Sequence, residues 1–170
     1  MSTEQTATDT VITPEAFLNH WQGHRRLTRR MIETFPEDKL FSFSIGGMRS
    51  FGLLALEMLG MAVPMVNGIV TGETGPPPHH QAGWKEAIIE AANPREALLR
   101  HWDEATEQIN NLWPQIAQGR FLESMLAFGQ YEGPIYDLLF YIVDNEIHHR
   151  GQGYVYLRAL GIEPPPFYER

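Results

Sequence analysis

Cysteine is absent from all 170 residues, which removes disulfides, zinc thiolate centres and thiol nucleophiles together. Any metal must therefore be held by histidine, carboxylate or amide donors. Positive charge is scarce as well. Lys and Arg number 13 against 21 Asp and Glu, a formal net charge of −8, and that balance repels phosphate backbones, so no nucleic acid partner is expected. Four of the basic residues, Arg25, Arg26, Arg29 and Arg30, fall in one short cluster that reads as the solvated face of a helix. Long apolar runs are missing too. The most apolar stretch, Phe51 to Val66, is broken by Glu57, Gly60 and Pro64 and falls short of the roughly 20 residues a membrane span needs, so no membrane partner is expected. Met1 to Ile12 is polar and has no apolar signal core, which predicts a disordered tail and a cytoplasmic location.

What is present suits one domain over residues 13–170. Hydrophobic residues make up 43% and charged residues 20%, close to globular averages, and the length is enough to bury a core without covalent staples. Thr13 and Pro14 form an N-cap and first-turn proline for a helix to about Thr34, with Phe17, Trp21, His24, Thr28, Met31 and Phe35 on its inward stripe. A second helix is predicted over Met48 to Val66. It is apolar nearly all round, as a helix covered by several neighbours or by a second subunit would be, and Pro64 predicts a kinked last turn.

The stretch 67–92, rich in glycine and carrying Pro76, Pro77 and Pro78, is the longest connection, with a short helix expected near Trp84 to Ala91 and loop histidines at His79 and His80. Asn93, Pro94 and Glu96 supply a capping box for a third helix to about Trp113. Residues 115–133 read equally as helical turn or extended segment. Pro134 opens a fourth helix over about Ile135 to Leu160, ended by Gly161 and the prolines at 164–166. No period-two pattern marks a strand. The expected fold class is all-α: a four-helix bundle, up-down-down-up, with the long crossover between the second and third helices.

The chemistry-bearing residues stand out because they lie where apolar ones belong. At about 100° per residue the fourth helix places Glu146 and His149 on its core stripe beside Leu139, Ile142 and Tyr156, with Asn145 on the shoulder and Asp144 and His148 pointing away. Glu57 is the one ionisable residue between Phe51 and Val66, also near its helix's inward stripe. Buried carboxylates cost several kcal/mol each unless paired, protonated or bound to a cation. A Glu57, Glu146, His149 set would neutralise a divalent ion and leave a coordination position open. The same residues also read as a protonated carboxyl or a hydrogen-bonded network with His24, His149 or Arg49. His20 and His24, spaced i, i+4, form a rival metal half-site with His20 towards the rim.

The run Asp144, Asn145, Glu146, Ile147, His148, His149, Arg150, Gly151, Gln152, followed by Tyr156, Leu157, Arg158, Gly161 and Pro164, resembles the closing helix of the DinB family, related to the YfiT-like metal-dependent hydrolase group. The segment from Ile45 through Gly72 is similar to that family's second helix, and the likeness extends over about Pro14 to Tyr168. The resemblance implies the same bundle, a homodimer, and a divalent metal such as zinc, nickel or manganese held by three histidines. Those places fall on Glu57, Asn145 and His149, of which only His149 is a histidine. A neutral amide is a poor zinc ligand, and carboxylate for imidazole shifts preference to harder ions. Glu146 could substitute for Asn145 as a ligand or act as general base. The function implied is a metal-dependent small-molecule transferase or hydrolase, with a low-molecular-weight thiol as possible co-substrate. The alternative is a metal-free dimeric ligand-binding or stress-response protein.

Overall fold

The computed structural model describes residues 11–72 and 82–170. Most of the expected tail, and the loop histidines His79 and His80, lie outside them. Four long helices pack together: α1 (Pro14–Thr34), α3 (Phe51–Thr71), α5 (Pro94–Leu112) and α6 (Ile135–Ala159), with short α2 (Glu37–Leu40) and α4 (Trp84–Ile89) between them. α1 and α3 each pack on both α5 and α6, so α1 and α3 sit across a diagonal of the bundle. The core between them is closed by Trp21, Trp102, Phe35, Phe51 and Tyr156, each nearly or fully buried.

The local signals at helix ends act as expected, with one exception. The Thr13 hydroxyl accepts from the Ala16 amide at 3.2 Å. The close of α6 is a Schellman motif: Gly161, at φ 76°, donates to the Arg158 carbonyl, and Ile162 donates to Leu157. At α5 the expected capping box does not form. Asn93 donates to the Glu96 carboxylate instead, and an α5 backbone amide, that of Arg95, is satisfied from α2, by Glu37 at 2.9 Å.

Two expectations are corrected. The second long helix starts at Phe51, not Met48, and runs through Pro64 to Thr71. Proline costs a helix roughly 3 kcal/mol, but the turns after it bury Val66 and Ile69, and Gly72, at φ 82°, stops the helix. At 21 residues this helix has the length and composition to cross a membrane, yet 67% of its most apolar window is buried inside the fold, as a bundle core requires. The second correction concerns strands. Within 115–133 the chain makes two short 3-10 turns and then an antiparallel hairpin, β1 (Ser124–Ala127) with β2 (Tyr131–Pro134). Strands this short carry too little alternation to register as a pattern.

The approach of α3 to α6 depends on one missing side chain. A Cβ at Gly153 would lie 2.5 Å from the Phe51 ring. Gly to Ala in an exposed helix gains about 1 kcal/mol, but here the ring must move. Gly153→Ala is therefore expected to destabilise by about 1–3 kcal/mol. Gly151→Ala, on the open face of the same helix, is expected to stabilise. Urea denaturation of the two variants checks the opposite signs.

Candidate functional site

α3 presents Glu57 one turn and a half into the helix, and α6 faces it with Asn145 and His149, neighbours on one face at i, i+4. The Glu57 Oε1 lies 2.9 Å from His149 Nε2 and 3.2 Å from Asn145 Nδ2. Asn145 Nδ2 is also 3.2 Å from His149 Nε2. These three atoms close a small triangle. The other carboxylate oxygen of Glu57 is ion-paired with Arg49, from the turn that leads into α3. Tyr156 pins that turn by donating its hydroxyl to the Arg49 carbonyl at 3.0 Å. On its far side the His149 ring meets Gln152 at 3.2 Å, and Gln152 reaches the exposed His148.

Burial by itself would push the Glu57 carboxyl up. The hydrogen bonds from His149, Arg49 and Asn145, with the His149 charge, outweigh it and hold the group down at about 2. Glu57 is thus an anion at any ordinary pH, and it is 29% exposed, at the mouth of the bundle rather than its centre. Arg49 is half-exposed and keeps guanidinium N–H groups towards solvent.

Glu146, nominated with these residues as ligand or general base, is brought elsewhere. It is buried at 2% exposure and turns towards α1, accepting from Thr28 Oγ1 at 2.6 Å and from Trp21 Nε1 at 3.3 Å. Arg150, one turn on, lies 3.9 Å from the same carboxylate and also bonds Thr28 and the His24 ring. This is a second, inner polar cluster. The reading of the four-arginine cluster as a solvated face holds for Arg26, which is exposed, and for the part-exposed Arg29 and Arg30, which pair with the surface carboxylates of Asp103 and Glu169, but not for Arg25. Arg25 is 1% exposed, lies 4.3 Å over the Trp102 ring and donates to Thr106 and the Trp102 carbonyl. Its spacing of four from Trp21 and three from Thr28 was the sequence signal for an inward position. Arg150 carried a similar one, at i, i+4 from Glu146.

The rival half-site also has a place. His24 is buried, His20 is exposed, and their Nε2 atoms are 3.1 Å apart. Arg150 donates to His24 Nδ1 at 2.9 Å and Arg170 approaches its Nε2 at 3.2 Å. Burial first, then these two guanidinium groups, hold the ring down at about 3. A cation has no reason to enter beside them.

The metal implied by the family resemblance can be tested on the outer cluster. Its donors are one carboxylate, one imidazole and one amide, and the carboxylate's charge is already balanced by Arg49. Among the described residues no three His, Cys, Asp or Glu side chains gather as a metal site. The donor set does not fit a tightly held divalent ion, because nothing is left to neutralise two positive charges.

Comparison with known proteins supports the fold. A DinB-like protein of Bacillus subtilis superposes with a TM-score of 0.70 at 21% identity, over 91% of this chain and 99% of that one. A DinB-like protein of Bacillus cereus gives 0.67 at 18%, over 91% and 97%. A mycothiol-dependent maleylpyruvate isomerase gives 0.61 at 16%, over 84% of this chain and 61% of that one. No curated protein matches. The DinB family pattern matches residues 1–170, and the chain belongs to the DinB family.

Proposed function

We propose that this DinB-family protein binds a small polar molecule at the Arg49–Glu57–His149 cluster without a resident metal. The observation that carries the reading is that both oxygens of Glu57 are engaged by protein groups, Oε1 by His149 and Asn145 and Oε2 by Arg49. The Arg49 guanidinium does what a cation would do for the Glu57 carboxylate, and its remaining N–H groups are free to meet a ligand's acceptor atoms. A low-molecular-weight thiol is the first ligand class to try, since one structural neighbour is named as mycothiol-dependent. The up-down-down-up helix order, the homodimer and the cytoplasmic location belong to the same proposal.

A second reading, a metal-dependent transferase or hydrolase, is favoured by one feature. The triangle of Glu57, Asn145 and His149 atoms has edges of 2.9, 3.2 and 3.2 Å, and rotating the amide would point its oxygen at the same spot. One experiment separates the two. Protein purified without chelator or immobilised nickel should carry well under one equivalent of metal, and its melting temperature should not rise with zinc, nickel or manganese. Glu57→Gln and His149→Ala should shift the melting temperature while leaving metal content alone. Stoichiometric metal in the wild type that disappears in both variants would establish the second reading instead.

A further inference from the structure

A separate cavity lies further along the α3–α6 flank, under the hairpin. Its volume is about 220 Å³, and its walls include Phe128, Tyr131, Tyr141, Met65, Glu132 and Asp137. Drug-sized sites run to about 300–1,000 Å³, so this space suits the head group of a small ligand rather than a large one. Its walls combine aromatic rings with carboxylates. Aromatic rings come from the hairpin (Phe128, Tyr131) and from α6 (Tyr141), with the two tyrosine rings 6.4 Å apart and tilted by 30°. Both tyrosines are about half exposed, so they do not serve the core.

The hairpin carries a strained residue at one of these rings, which also packs against the core. Phe128 has φ 54° and is the one non-glycine residue with positive φ among those described. With Gly129 at φ 68° and the Gln130 amide donating to Ala127, it occupies the first central position of a tight hairpin turn. Glycine, asparagine or aspartate fills that position cheaply, whereas a bulky side chain there costs about 1–3 kcal/mol. The two carboxylates complete the picture: among the described residues neither Glu132 nor Asp137 makes an ion pair. Aromatic faces attract cations through their quadrupole, and they favour a quaternary ammonium, which has no N–H groups to desolvate.

We propose that the cavity beneath the β1–β2 hairpin is a binding site for a small quaternary ammonium compound, its cationic head against Phe128, Tyr131 and Tyr141 and its charge balanced by Glu132 and Asp137. The site needs neither Glu57 nor His149, so it stands or falls apart from the function proposed above. The net charge of −8 favours the approach of such a ligand.

The test titrates the intact protein, by calorimetry in matched salt, with choline, with its neutral isostere 3,3-dimethylbutan-1-ol and with ethanolamine. Choline is expected to bind saturably, about tenfold or more tighter than either comparator. Tyr141→Leu should weaken choline at least about fivefold, Tyr141→Phe should retain it, and Asp137→Asn with Glu132→Gln should weaken it further. These half-open positions lie outside the packed core, and circular dichroism is the check that each variant folds. No saturable choline binding, equal binding of the neutral isostere, or tighter binding of ethanolamine would each overturn the proposal. The last would make the carboxylates, not the rings, the recognition element.

Discussion

Replacing Glu146 by alanine is expected to cost about 3–5 kcal/mol of folding stability, the range for breaking one side of a buried charge pair. Folded domains hold only about 5–15 kcal/mol in reserve, so the variant would sit near the edge of unfolding. The reason lies in what Glu146 leaves behind. Two guanidinium groups, Arg25 and Arg150, are buried at 1% and 6% exposure. Burial pulls both arginines down, and the Glu146 charge is the first influence that opposes it in each case. Without it, Trp21 Nε1 loses an acceptor, Thr28 loses its partner at 2.6 Å, and one arginine atom, Arg25 Nη1, already has no hydrogen-bond partner. Glu146→Gln keeps an acceptor and should cost about half as much. Pairing Glu146→Leu with Arg150→Met should recover much of the loss, since an apolar replacement of a whole buried pair is often neutral. Urea denaturation reads all three. A loss below about 1 kcal/mol for Glu146→Ala would mean that the inner cluster does not hold α1 to α6.

Acid should weaken the fold through His24 before it reaches any carboxylate. Its folded value of about 3 lies below the ordinary 6.5, because burial and then Arg150 and Arg170 oppose a second proton. Below pH 6.5 the unfolded chain therefore takes up a proton that the folded chain refuses. Stability is full above pH 6.5 and declines as the pH falls towards 3, at up to about 1.4 kcal/mol per unit. Between pH 7 and 5 this one residue accounts for about 2 kcal/mol. Glu57 acts by the same linkage in a lower window: its value is depressed from 4.5 to about 2, so its contribution is present above 4.5 and is lost between there and 2. Unfolding midpoints of wild type and His24→Gln at pH 7 and pH 5 separate the effects. The variant should show the flatter dependence, and identical slopes would remove His24 as the acid-sensitive group.

Both predictions concern residues that the sequence marks as unusual without saying whom they meet. Glu57, Glu146 and His149 all fall near an inward stripe, and from spacing alone they look like one set. On an ideal helix Asn145 and His149 are about 40° apart, while Glu146 lies about 100° from one and 60° from the other. That offset is small on a helical wheel and decisive in a bundle, where α6 touches α3 on one side and α1 on the other. Asn145 and His149 meet Glu57 of α3, and Glu146 meets Trp21 and Thr28 of α1.

Helix positions, the Thr13 cap, the Gly161 stop, the inward His24 and the outward His148 were readable along the chain because each depends on neighbours within about four residues. The family resemblance was readable from the last helix for the same reason. Other features were settled only when the helices packed. The second long helix continues past Pro64 and Val66 to Thr71 because burial of the following turns outweighs the proline's cost. Arg25 goes inward because Trp102 offers a ring, and Arg49 takes the charge of Glu57 because Tyr156 fixes its turn. The hairpin that sets three rings and two carboxylates around one cavity also belongs to this group. Local sequence determines which face each side chain is on, since the backbone repeat is local; which partner waits there is decided by elements dozens of residues away, and only packing brings them together.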